Sequence, residues 1–443
     1  MTLPAGVVPT RRGSQSSLTA PTAGAVTGAA HEGQRMEGSA GGQRRRAAHD
    51  GQGMEGTDGM RLTDESARPP HPGKARADVG VSEREVEAAK QAAKVVGLYG
   101  DPDVTWGISL EVVLEQPCVL DDAKVRLETL FAGHPHLGPV PLPEPVPVEA
   151  WDRRREVSAC APFGPEGLVR VLVRSDERAV FVTAHHGVVD GFGLVALTAA
   201  LLDRDLSPRA KGVGDRRPRR SFLVSSVLRL GEALVNPPAR FSGTPSPQPE
   251  GEVLVRRSGI PGRVNGAMLC AAVLEVHGSW PRNRTSQGRR FLAVMGASRR
   301  GQGEYAPDRD TAYLRIPLRR GWDTDRVALA IREAEPEPDF PETRAGGIGP
   351  WVVRRLKERL GYTANVSNLG LFAGEGIESM AIYPAVNGPR AVGLGLATAA
   401  GGATISVRVR RSDFTEEEAQ RLLQEIVDRV VAQQGMTEPA GSD

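Results

Sequence analysis

Cysteine is scarce in this chain. The three present, Cys118, Cys160 and Cys270, are far apart and odd in number, so neither a disulfide framework nor a paired-cysteine metal site is indicated, and a reducing cytoplasm is the expected compartment. Charge of one sign is lacking as well. Lys plus Arg total 56 against 54 for Asp plus Glu, a formal charge of +2, which removes the electrostatic case for a dedicated nucleic-acid binder. No stretch approaches the roughly eighteen apolar residues that a membrane-spanning helix needs. Residues 1–10 also lack the continuous apolar core of a secretory signal.

Glycine and proline, by contrast, are abundant. The 52 glycines and 34 prolines in 443 residues are about a fifth of the chain, against a background near 12%, which implies that part of the length is not folded. That part is expected at residues 1–79, where Gly, Ala, Arg, Gln, Ser and Pro leave too little apolar area to offset the entropy of ordering. Within it, the segment from His31 to Gly38 is echoed from His49 to Gly56, a low-complexity duplication. A disordered end is expected at 436–443. The whole length offers room for roughly two to three domains of about 150 residues each.

Order is expected from a capped helix, Ser82 to Val96, onward. A strand over Trp106 to Leu114 and a helix over Asp121 to Phe131 follow. The strands Leu168 to Val173 and Ala179 to His185 are joined by the charged turn Ser175 to Arg178, a hairpin pattern. An apolar helix then runs from Leu194 to Leu202. The Arg/Pro-rich stretch 207–252, with an amphipathic segment Phe222 to Val235, reads as a crossover between an N-terminal lobe (80–206) and a C-terminal lobe (253–435). In the second lobe the pattern predicts a helix from Asn265 to His277, strands at Arg290 to Gly296 and Tyr313 to Leu318, and a helix near Trp351 to Leu360. Strands follow at Ala391 to Ala397 and Thr404 to Arg410, then a terminal helix with Thr415 and Glu418 as a capping box. The interleaving is α/β or α+β, with mixed sheets.

Chemistry concentrates at His185-His186-Gly187-Val188-Val189-Asp190-Gly191, where two adjacent histidines, of eight in the chain, leave a β-rich segment. Neighbouring side chains on a strand face opposite ways, so the two should have different jobs. Asp190 falls one helical turn beyond His186, and Gly187 and Gly191 permit a tight turn that could hold one imidazole in a chosen tautomer. A neutral imidazole so held suits general-base work on a hydroxyl or amine. Two other readings compete: a His-His-Asp metal site, made awkward by the opposed side chains, and two core histidines that only satisfy hydrogen bonds.

The segment HHGVVDG resembles the HHxxxDG signature of the CoA-dependent acyltransferase superfamily, which spans chloramphenicol acetyltransferase, wax ester synthases, alcohol acetyltransferases, polyketide-associated acyltransferases and nonribosomal-peptide condensation domains. The hairpin before it, the helix after it and the terminal strand and helix extend the resemblance over Val81 to Gln434. It implies two chloramphenicol-acetyltransferase-like lobes with a channel between them. His186 matches the family general base and His185 an orienting residue; with Asp190 and Gly191 they make up the motif's site. Asp190 matches an aspartate that pairs with an arginine and shapes the loop. The partner is expected after Leu292 to Ser298, at Arg299 in preference to Arg300. Asn365-Val366-Ser367-Asn368-Leu369-Gly370 is similar to a family segment at the tunnel, which makes Ser367, Asn365 and Asn368 candidates to line it or donate to an oxyanion; a plain Asn/Gly-rich turn is the alternative. The DFGWG segment of the plant branch is absent.

The resemblance implies an acyltransferase that uses acyl-CoA or a phosphopantetheine thioester as donor substrate and a small-molecule hydroxyl or amine as acceptor. It implies no tightly bound cofactor, no metal, no nucleic acid, no integral membrane segment and a monomer. An acyl or peptidyl carrier protein is the alternative donor. A freestanding condensation domain acting on carrier-bound substrates and a silent carrier-recruiting module are the competing functions. No covalent acyl-enzyme is required, so Cys160 and Cys270 are expected to be packing residues. The clusters Arg153 to Arg155 and Arg216 to Arg220 read as solvated surface, or as contacts to phosphates or an acidic carrier.

Overall fold

The computed structural model describes residues 105–435, apart from 119–121, 164–166, 210–211, 215, 282–289, 302, 339–355, 357–358 and 373. All of them belong to the compact unit Ala77–Asp443. The expected tail and the helix from Ser82 lie outside the described residues, as does most of the helix expected near Trp351.

Two mixed sheets organise the chain. The first has the order β2 (Glu144–Val146), β3 (Val169–Arg174), β4 (Ala179–His185), β1 (Gly107–Leu114) and β9 (Ile377–Tyr383). The β3–β4 hairpin forms where β-branched residues alternate across the turn. Asp176 ties that turn, its Oδ1 accepting from Arg174 Nε at 2.8 Å and from the Arg178 amide at 3.1 Å. Helices α1 (Ala123–Gly133) and α3 (Gly191–Leu202) cover this sheet. Helix α3 is apolar all round because it is enclosed all round: Leu194, Leu197 and Leu201 are fully buried, each contributing about 1.5–3 kcal/mol of transfer free energy. Its last carbonyls are capped by Arg126, whose Nε and Nη2 donate to Ala200 O at 3.0 Å and Leu201 O at 2.9 Å.

The second sheet has the order β5 (Glu252–Ile260), β11 (Gly402–Arg410), β10 (Val392–Ala399), β8 (Ala364–Leu371), β6 (Phe291–Ser298) and β7 (Thr311–Leu318). Helices α5 (Gly266–Ser279) and α7 (Glu416–Gly435) pack on it, with α6 (Thr324–Glu333) alongside. Asn265 caps α5, its Oδ1 accepting from the amides of Ala267 and Met268 at 2.9 and 3.0 Å. The box expected at the start of α7 is only half made. Thr415 Oγ1 accepts from the Glu418 amide at 3.2 Å, but the Glu418 carboxylate reaches across to the amide and hydroxyl of Thr244, at 2.6 and 2.8 Å.

The sheets meet through β9. It lies within 253–435 yet pairs with β1 of the first sheet, so that stretch is not a self-contained lobe at the level of strands. Gly395 makes the meeting possible: a Cβ there would overlap the Ile382 carbonyl and the Ser406 hydroxyl, which itself donates to Ile382 O. A buried charge cluster pins the same seam. Glu111 on β1 accepts from Trp151 Nε1 at 2.9 Å and Arg155 Nη1 at 2.6 Å on α2 (Trp151–Cys160), and from Arg256 on β5. Burial opposes the charge on Glu111, but Arg155 and Arg256 outweigh it and hold the carboxyl below its ordinary value. Arg155, expected as solvated surface, is 4% exposed. The stretch 207–252 carries α4 (Phe222–Val235), which ends at Asn236-Pro237-Pro238, and then runs along the second sheet with Phe241 fully buried.

Candidate active site

The two histidines at the end of β4 part company as the pleat requires. His185 turns into the first core, 8% exposed, with its ring edge-on to Phe163 and its Nδ1 accepting from the Gly187 amide at 2.9 Å. Burial, and then its charged-form repulsion with His186, push its pKa down to about 4. It is a neutral packing residue that braces the turn.

His186 faces the space between the sheets and is partly exposed. Its Nδ1 lies 2.9 Å from Val189 O. A carbonyl only accepts, so Nδ1 carries the proton and Nε2 carries the lone pair. Tyr313 on β7 donates its hydroxyl to that Nε2 at 2.6 Å. Burial, and the nearby charge of Arg309, hold the pKa of His186 below the ordinary imidazole value, against the opposing pull of the Val189 carbonyl and Asp190. The ring is therefore neutral near pH 7, with Nε2 basic.

The tautomer is set by the Val189 carbonyl, not by Asp190. The Asp190 carboxylate is engaged elsewhere: Oδ1 caps α3 by accepting from the Gly193 amide at 2.9 Å. Its Oδ2 accepts from the Asp310 amide at 2.9 Å, from Thr311 Oγ1 at 2.6 Å and from Arg300 Nη1 at 2.8 Å. The arginine that pairs with Asp190 is thus Arg300, and the expectation of Arg299 is corrected. Pairing of β6 with β7 continues through Arg299, whose amide donates to Asp310 O at 3.0 Å. The chain then turns, with the Arg300 amide bonded to Ser298 Oγ, and it is the next side chain that swings towards α3. Neither Gly187 nor Gly191 has a positive φ. Gly191 matters for proximity, since a Cβ there would stand 2.8 Å from Leu369 Cδ2, and Gly193 likewise, at 2.7 Å from Asp308 O.

A cleft of about 60 Å³ brings together His186, Asp190 and Gly191 with Ser367, Asn365 and Asn368, the residues picked out in sequence from the two halves of the chain. Tyr313 on β7 pairs with Gly296 on β6, which pairs in turn with Ser367 on β8. Side chains in register share a face, so Tyr313 and Ser367 flank a gap that Gly296 leaves unfilled. Among the described residues no protein group takes the Ser367 hydroxyl. Asn365 Nδ2 donates to Ala385 O at 3.0 Å, and Asn368 Oδ1 accepts from the Gly370 amide at 2.9 Å, which leaves Asn368 Nδ2 as well as the Ser367 hydroxyl able to donate. A second cavity of about 790 Å³, within the size range of small-molecule sites, shares Phe192, Gly296, Ser298 and Asn368 with the cleft as lining residues. Tyr313 and Thr311 escaped the sequence reading, and Arg300 entered it only behind Arg299. The signal was the polar alternation of Thr311, Tyr313 and Arg315 along β7, which looks the same whether that face meets solvent or a cleft.

Among the described residues no group of three or more His, Cys, Asp or Glu is placed to hold a metal ion, and no helix is long and apolar enough to cross a membrane.

No family model and no curated protein matches this sequence. Solved structures do. The first condensation domain of the calcium-dependent antibiotic synthetase, in complex with a substrate analogue, superposes with a TM-score of 0.50 at 12% identity, over 82% of this chain and 97% of that one. The chain has the condensation-domain fold. The starter condensation domain of rhizomide synthetase, in complex with C8-CoA and Leu-SNAC, is similar with a TM-score of 0.46 at 12% identity, over 80% of this chain and 94% of that one. The condensation-domain fold accounts for the two mixed sheets, and it agrees with the superfamily resemblance carried by His185 to Gly191.

Proposed function

We propose that this protein is an acyltransferase that moves an acyl group from a CoA or carrier-protein thioester to a hydroxyl or amine of a small-molecule acceptor. One observation carries the reading: His186 is held by the Val189 carbonyl in the tautomer that turns a basic Nε2 into the cleft. A base there takes the acceptor proton as the nucleophile adds to the thioester carbonyl, a contribution of about 10²–10⁴ in rate. The Ser367 hydroxyl is the donor for the developing oxyanion, an interaction worth a few kcal/mol in acyl transfer. The proton then passes to the departing thiolate. Asp190 and Arg300 position α3 and the His186 turn without touching the reacting atoms.

Direct transfer needs no covalent intermediate, because a thioester and an acceptor brought together beside His186 react in an effectively unimolecular step. The cysteines fit this account. Burial pushes the thiols of Cys160 and Cys270 up to about 12, so neither is a thiolate nucleophile at neutral pH.

The test is an intact-mass screen of candidate acceptors against a panel of acyl-CoAs and acylated carrier proteins. Transfer from free acyl-CoA supports the stand-alone acyltransferase; a strict requirement for carriers on both sides supports the condensation reading. His186→Ala should lower the rate by about 10²–10⁴ with the melting temperature little changed. Full activity of that variant overturns the role of His186, and silence of the wild type towards every donor supports the recruiting module instead.

A further inference from the structure

We propose that Tyr313 is a catalytic residue, a proton relay between the acceptor nucleophile and His186 Nε2. This rests on the acyl-transfer reading above. An imidazole nitrogen has a single in-plane lone pair, and in this structure the Tyr313 hydroxyl occupies it at 2.6 Å, with the two rings edge to edge at 83°. An acceptor therefore meets the phenol oxygen before it meets the base. Tyr313 lines the cleft, and the missing side chain at Gly296 leaves open the space next to it, on the side of Ser367. Having donated to Nε2, the phenol oxygen still has lone pairs to accept from an acceptor O–H or N–H.

Arg309 supplies what a relaying phenol needs. Its Nε is a buried donor without a partner among the described residues, and its charge and hydrogen bond oppose the burial and the Asp190 charge that keep Tyr313 protonated at rest. Transient phenolate character is thus favoured by a neighbouring cation.

In the forward step the acceptor proton moves to Tyr313 Oη as the phenolic proton moves to Nε2, and the acceptor heteroatom bonds to the thioester carbon while the carbonyl π pair moves to oxygen. In the collapse the C–S bond breaks, and the imidazolium returns its proton through Tyr313 to the thiolate. Thioester and acceptor become ester or amide and thiol, with Tyr313 and His186 restored.

Three measurements on the full-length chain test the relay. Nitrogen-15 NMR should show His186 Nε2 unprotonated and hydrogen-bonded in the wild type, with the bond lost in Tyr313→Phe; a protonated Nε2 overturns the relay without any substrate. With the acceptor pair from the screen, or with water as acceptor in acyl-CoA hydrolysis, Tyr313→Phe should lower kcat by about 100-fold, KM and melting temperature being nearly unchanged. Tyr313→Gly should recover rate on addition of phenols, in proportion to their acidity, a response that a packing role does not give. A Phe variant within about twofold of wild type, or faster, makes Tyr313 a plug that the acceptor displaces and overturns the relay. If that result comes with an inactive His186→Ala, the relay alone fails; if His186→Ala is also active, the role of His186 fails with it, and the acyl-transfer reading itself fails only if the wild type transfers nothing from any donor.

Discussion

The Val189 carbonyl, one turn beyond His186, decides which imidazole nitrogen meets the cleft, and burial decides that the ring meets it uncharged. The same reasoning gives His185 and His277 a visible pH signature. Burial lowers each to about 4, with His186 adding to the effect at His185 and the Arg240 carbonyl opposing it at His277. Both are depressed below the unfolded value near 6.5, so the unfolded chain binds more protons between those limits. Their neutral forms cost nothing above pH 6.5, and stability falls as the pH drops from about 6.5 towards 4. Melting temperatures across that window should fall steeply. His185→Asn, which keeps an acceptor for the Gly187 amide but cannot titrate, should flatten the fall. At Asp190 the expected cost is larger. Asp190→Ala removes the α3 cap and leaves the Arg300 guanidinium, itself 7% exposed at the side chain, to the half-exposed Asp308 carboxylate, a loss of about 1.5–3 kcal/mol, readable in urea unfolding.

Among the elements, the entry to α3 is tightly constrained. Gly193 stands where a methyl would strike the Asp308 carbonyl and Val189 Cβ, at 2.7 and 2.8 Å, both of them parts that cannot turn aside. Gly193→Ala should cost about 1–3 kcal/mol of stability. Gly191→Ala meets chiefly the tip of Leu369, a flexible side chain beside Ser367. It should melt closer to wild type than Gly193→Ala while still losing transferase activity, because the displaced group lies next to the oxyanion donor. The hairpin β3–β4, the helix behind the motif and the amphipathic segment from Phe222 to Val235 were legible in the chain, since alternation and helical spacing survive without knowledge of neighbours. The strand β9 and the helices α2 and α6 were not. β9, Ile-Glu-Ser-Met-Ala-Ile-Tyr, is buried on both faces because it edges the first sheet while packing against β10 and β11 of the second, so it shows little alternation; α2, Trp-Asp-Arg-Arg-Arg-Glu, reads as solvated charge until Glu111 is seen beneath it.

At the scale of the whole molecule, the seam between the sheets holds the two sides of the cleft in register. Glu111 is enclosed with Arg155 and Arg256. Glu111→Ala should destabilise the chain by about 3–5 kcal/mol, because buried Arg155 keeps only the exposed Asp152 and half-buried Arg256 loses its carboxylate. Urea midpoints would show it, and activity should fall together with the folded fraction. A Cβ at Gly395 would run into the backbone of β9. Gly395→Ala is expected to prevent the sheets from closing, which a loss of soluble protein would report.

What the sequence determined alone is local: a strand that delivers two histidines to opposite faces, an apolar helix over Leu194 to Leu202 just behind the motif, and a second polar segment around Ser367. Each follows from backbone period and residue chemistry within a few positions. Only the tertiary structure decided that Tyr313 closes on Nε2, that Arg300 and not Arg299 answers Asp190, and that β9 joins the first sheet. Those pairings span 127, 110 and roughly 270 positions of chain, and over such separations a partner is selected by packing and hydrogen-bond satisfaction between sheets, which leave no periodic trace in the order of residues.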